Sequence, residues 1–347
     1  SGGTLYAQRS GSALGTGALT LSGVGTALEY DNDTALTFNN AATVSASMTV
    51  KSGRLTPGPG VTHTLGSLSI NASTLTVAPG ANVYANTPFG LTYGTNTLTA
   101  GPATFNVVNN GGAPGTLTLG AVNGSYALIK KGAGVLKLAS VNLFSGPITN
   151  NDGRILAVTG GACSNSAVTV QAADLASASP SLSVNLSAAG TQWTCSSLTA
   201  GTANAPATNL PALEFSFAAL PSTTVAPLRV INAVTFATNP VVNVYLSNLT
   251  VPVTNYPLMV VGGLAPTNTI PPLNMVGGYT NSTLYWTNNT LTLKLQGTGA
   301  PLKWLPGATS SGTWDVNNSA NLVWTNGLAR VFYQEPLGSG VSGDPVL

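Results

Sequence analysis

KKGAGVLKLASVNLFSGPITNNDGRILAV, residues 130–158, is the stretch whose reading decides the fold. It divides into three short strand patterns: Val135, Leu136 and Leu138, then residues 147–149, then Ile155, Leu156 and Val158. Turn-forming residues separate them, among them the Asn-Asp-Gly at 151–153, because Asn and Gly tolerate the backbone of a tight reversal. A unit this short cannot bury its own apolar face. It becomes stable only against stacked copies of itself, which is the logic of a solenoid.

Working outward, GTGALTLSG (15–23) echoes GAGVLKLAS (132–140), and TVKSGRLTP (49–57) echoes NNDGRILAV (150–158). Between them run further short alternating segments such as LGSLSI, STLTVAPGANV and GTLTLGAVNGSYALI, the pattern of half-buried strands joined by turns. Pro79-Gly80, Gly101-Pro102 and Pro114-Gly115 mark corners. No window holds an apolar stripe at helical spacing over three turns, so little helix is expected beyond a short turn near 174–177. Residues 231–298 return to strong strands after a less regular region. The Asn288-Asn289 pair between STLYWT and TLTLKL predicts a tight hairpin turn, hence an antiparallel flank in the C-terminal half. The organisation expected is a solenoid over 1–160, an irregular continuation or sandwich-like region over 161–300, and a Trp-rich segment over 301–347.

Only 6% of the 347 residues are charged, where about a quarter is usual. The net charge of +2 is too small and scattered to drive binding to nucleic acid or an anionic membrane, and no run of about 18 apolar residues exists to insert into one. A surface so nearly uncharged gives little repulsion between copies, which favours self-association. Cys163 and Cys195 form either one disulfide in an oxidising compartment or two buried small hydrophobes.

Chemistry-bearing residues are sparse. His63 is the single histidine, and no Cys-x-x-Cys or acidic cluster accompanies it, so neither a metal site nor any other cofactor is expected. Asp31-Asn32-Asp33 lacks the Gly and Glu of a calcium loop and reads as turn chemistry. No Asp or Glu occurs across 34–151, which argues against a glycan-cleaving enzyme, since that chemistry takes paired carboxylates. Lys130, Lys131 and Lys137 read as a solvated basic patch, and Tyr84, Phe89 and Tyr93 as candidates for a sugar-stacking platform.

The quoted stretch resembles the autotransporter-associated β-strand repeat, Gly-x-Gly-x-Leu-x-Leu, then Asn-x-x-Ser/Thr-Gly, then x-Gly-x-Leu-x-Val. Gly132, Gly134, Leu136, Leu138, Asn142, Ser145, Gly146, Gly153, Ile155 or Leu156, and Val158 occupy those places. Trp304, Gly312, Trp314, Asp315, Trp324, Gly343, Asp344 and Val346 are similar to a Trp-rich stretch of large secreted proteins carrying such repeats. The resemblance implies an all-β, right-handed parallel β-solenoid (β-helix) that is secreted or displayed on a bacterial surface. In that family the Trp segment commonly precedes the repeats, whereas here it follows them.

The function expected is a structural subunit of an extracellular filament or surface layer, not an enzyme, with copies of itself as partner. The joining residues would be Ser1, Thr4, Leu5 and Tyr6 at one end and Val346 and Leu347 at the other, with Trp304, Trp314 and Trp324 as packing anchors. Gly-Gly-Thr-Leu at the start reads as the tail of a motif and Gly-Asp-Pro-Val-Leu at the finish as the opening of another, so units are expected to continue one another. The runner-up is a monomeric adhesin contacting cell-surface glycans through loops at 84–93 and 279–286. A lyase or hydrolase ranks last.

Overall fold

The computed structural model describes residues 3–158, 161–171, 179–201, 210–217, 220–246, 254–276, 279, 281–296, and the short strands Lys303–Trp304, Trp324–Thr325 and Arg330–Val331. Among these residues there is no helix, and so none that could cross a membrane. Strands assemble into sheets of fourteen, ten, five and three members. The first three are the faces of one parallel β-solenoid of about nine turns. The long sheet starts at Thr4–Gln8 and the ten-stranded sheet at Thr37–Phe38, and the parallel ladder runs unbroken as far as Asn255–Val261 and Leu273–Val276.

Parallel register turns sequence alternation into columns. On the ten-stranded sheet Leu91, Leu117, Leu136, Ile155, Leu182 and Leu213 lie directly above one another, each nearly fully buried. Residues one step away face out, because side chains alternate sides along a strand. The repeat motif sits where the coil is tightest: Leu128 pairs with Ile148 and Ile148 with Val168, a spacing of 20 residues each time. Later turns are longer, and Trp193 meets its partner only at Leu228. Gly153 makes one tight corner at φ 65, and at Gly146 a Cβ would lie 2.0 Å from the Tyr126 carbonyl oxygen. Those positions need glycine for conformation and for closeness respectively.

Corners are tied by asparagine. Asn142, buried, accepts from the Val122 N–H at 2.9 Å and donates to the Ser140 carbonyl at 2.9 Å. Asn150 donates to the carbonyls of Gly153 and Ser181, both at 2.9 Å. Asn40 and Asn110 bridge neighbouring turns in the same way. Each amide supplies the corner's exposed backbone acceptors with partners without adding charge.

The five-stranded face ends at Val122–Asn123, after which a single bridge from Val141 to Ala162 follows its line. The early turns are therefore three-faced, and the later ones are built on two sheets. The sequence echoes do not mark equivalent positions. GAGVLKLAS supplies Val135–Leu138 of the ten-stranded sheet, whereas GTGALTLSG supplies Leu19–Leu21 of the five-stranded one. Arg154 opens a strand directly after Gly153, while Arg54 enters a loop and donates to the carbonyls of Thr56, Asp33 and Pro59. Asn288 and Asn289 form the expected hairpin turn, with φ of 45 and 56 and Thr287 opposite Thr290. The turn expected near 174–177 lies outside the described residues.

Candidate assembly interface at the N-terminal end

Thr4–Gln8 is the edge strand of the long sheet, paired on one side only, with Ala27–Asp31. Gly3 offers its carbonyl to Ala27 N–H, and Arg9 donates its N–H to the Asp31 carbonyl. Odd-numbered residues thus face the partner strand, and the backbone groups of Thr4 and Tyr6 point to the open side. No described residue pairs with them. Leu5 stacks on Leu28, which stacks on Val50, so it is the first member of a core column. It is 59% exposed because nothing described lies upon it, while Leu28 and Val50 are buried. Tyr6, on the outer face, is 50% exposed. An unpaired strand edge beside an uncovered core column is a template for another strand.

Behind this edge lies a pair of buried carboxylates that sequence reading treated as turn chemistry or passed over. Glu29 and Asp31 stand beside Tyr6 and Gln8 and share one face of their strand. Gln8 Nε2 donates to Asp31 Oδ2 at 2.9 Å, tying the edge strand to the second turn. Glu29 accepts from the Ala81 N–H and lies 3.5 Å from the Lys51 ammonium. Burial, reinforced by the charge of Glu29 and opposed by the Gln8 hydrogen bond, pushes the Asp31 carboxyl up to about 6. The Glu-x-Asp spacing on a strand was the available signal. Asp33 does serve a turn, accepting from Thr56 N–H and hydroxyl and pairing with Arg54 at 3.4 Å.

At the opposite end the core is covered, while Thr283–Thr287 and Leu273–Val276 are edge strands, each paired on one side only among the described residues. Thr290–Lys294 pairs antiparallel with Asn255–Val261, and Thr283–Thr287 pairs antiparallel with Thr290–Lys294 on its far side. Beneath them Leu258 and Met259 are fully buried, as are Leu291 and Leu293 of the hairpin.

Other singled-out residues fall as follows. Trp304 and Trp324 are direct cross-strand partners in the three-stranded antiparallel sheet. Ser1, Trp314, Val346 and Leu347 lie outside the described residues. Cys163 and Cys195 are register partners on adjacent strands, both buried and both free thiols; burial pushes Cys163 up to about 12. His63 is a core residue whose Nδ1 accepts from Leu36 N–H at 3.2 Å, and burial lowers its pKa.

Two expectations are overturned. Lys130 is not part of a solvated patch: it is fully buried, with its ammonium donating to the carbonyls of Lys131, Gly132 and Asp152 at 2.8, 2.5 and 3.0 Å. Burial, opposed by the Asp152 charge, brings its pKa down to about 7. The aromatic platform does not form either, since Phe89 and Tyr93 are core residues and only Tyr84 is exposed. Their strand alternation places both rings inside.

Comparison with protein-family models, with curated proteins and with solved structures finds no match to this chain.

Proposed function

We propose that this protein is a structural subunit of an extracellular filament or surface layer, joined head to tail by strand addition. The observation that carries the reading is the open parallel edge at Thr4–Gln8, with Leu5 of the core column uncovered beside it. The segment proposed to join is 343–347 of a second copy, the joint that the sequence names. Each backbone hydrogen bond gained contributes roughly 0.5–1.5 kcal/mol net, and covering Leu5 adds to it. A head-to-tail contact that does not close produces a fibre. The low charge density removes the repulsion that would oppose it. The resemblance of the motif at 132–158 to the autotransporter-associated repeat supports secretion. The adhesin reading keeps fewer exposed aromatics than foreseen, because Phe89, Tyr93 and Tyr279 are buried while Tyr84 is exposed.

The test is negative-stain microscopy and sedimentation of wild type, of a 340–347 deletion, and of Tyr6→Pro. The Tyr6 N–H faces the open side, so proline there removes no bond within the subunit. Fibres from wild type and discrete rods from both variants are expected. Wild type that stays monomeric at high concentration defeats the filament reading. Fibres from both variants overturn strand addition as the joint.

A further inference from the structure

Two clefts of about 260 and 400 Å³ adjoin on the outer face of the ten-stranded sheet, sharing Val135 and Arg154 in their linings. Together they reach from the strand Thr62–Leu65 to Ala212–Phe217, which are seven consecutive strands of that sheet. At about 4.8 Å per strand the groove is roughly 29 Å long, parallel to the solenoid axis. Its floor crosses the tight turns of the repeat, where Gly153 leads straight into the strand at Arg154. The loops holding Pro88 and Pro114 line it as well.

The floor carries hydroxyls and cations. Thr62 and Thr116 lie in one outward column, which continues through Val135 to Arg154. Thr118 and Lys137 lie in the next. Arg154 Nε is 3.0 Å from Glu214 Oε2 across two turns, while Lys137 has no carboxylate partner among the described residues. Lys137 shares its outward column with Leu156, Ser183 and Glu214, so the carboxylate of that column stands three strands, roughly 14 Å, away and is engaged by Arg154.

We infer that this groove binds an extended acidic glycan, its carboxylates paired with Lys137 and Arg154 and its hydroxyls bonded to the threonines. A peptide fits less well. The groove lies on a sheet face whose backbone groups are already spent in ladders, so an extended peptide finds no main-chain partners there. A glycan needs none. The groove lies on a different face from the joining strand and is independent of the filament reading. With Glu214 already paired to Arg154, it is a binding site and not a pair of catalytic carboxylates.

The experiment is calorimetry of the full chain with an oligogalacturonate, a neutral malto-oligosaccharide of equal length, and a poly-glutamate peptide. Oligogalacturonate binding that weakens with added salt is expected, with the other two silent. Lys137→Ala should weaken it about tenfold, the loss of one charge-assisted contact. Glu214→Gln, which frees Arg154, should tighten it a few-fold. That opposite sign separates the site from mere surface attraction. No oligogalacturonate binding, equal binding of the neutral sugar or the peptide, or no change in either variant overturns the proposal.

Discussion

Met259, under the antiparallel hairpin at one end of the long sheet, is fully buried, whereas Leu5, at the other end of the same sheet, is 59% exposed. Both belong to core columns built by the same parallel stacking. What differs is the finish. A chain that reverses direction covers the core beside the last parallel strand and passes the backbone edge on to Thr283–Thr287, and Asn288-Asn289 allows the reversal within two residues. At the first strand no described segment reverses, so edge and core stand open together. The lesson is that a chain reversal covers a core without removing the backbone edge, which moves to the outer strand of the hairpin.

The comparison can be broken first at the covered end. Leu293→Ala, within the hairpin, is expected to cost roughly 2–5 kcal/mol in denaturant unfolding, as other fully buried leucines do. Asn288→Ala is milder, about 1 kcal/mol, because alanine pays for the left-handed backbone at φ 45. At the open end the acidic pair gives a pH signature. A carboxyl whose folded pKa is raised favours the fold below its ordinary value and loses that contribution as pH rises through about 6. Asp31→Asn therefore raises the melting temperature at pH 7.5 by on the order of 2 °C and leaves it unchanged near pH 3.5, as read by calorimetry at the two pH values. The smallest effect belongs to Leu5→Ala, about 0.5 kcal/mol in the isolated subunit. A cost matching that of Leu293→Ala would show that the open end is covered in solution.

The parts of this molecule that sequence made legible are those set by neighbours along the chain. Residues 130–158 announce strand, corner and strand because two-residue alternation and Gly at the reversals are local facts, and Asn288-Asn289 announces its hairpin for the same reason. The later turns hide their period in long connections, so 161–276 look irregular although the ladder passes through them unbroken. Charge was misread where three dimensions decide it. Lys130 looks like a solvated lysine until three carbonyls of two successive corners converge on it. Glu214 becomes a neighbour of Arg154 only through register, over a separation that no motif spans.

The asparagine-tied corners have a consequence for where such a molecule can live. Only three ion pairs occur among the described residues, whereas neutral amides clasp one coil to the next at Asn40, Asn110, Asn142 and Asn150. Dissolved salt, which shortens the reach of charge to about 3 Å at 1 M, finds little here to weaken. The coil is therefore expected to hold its shape alike in rainwater and in brine.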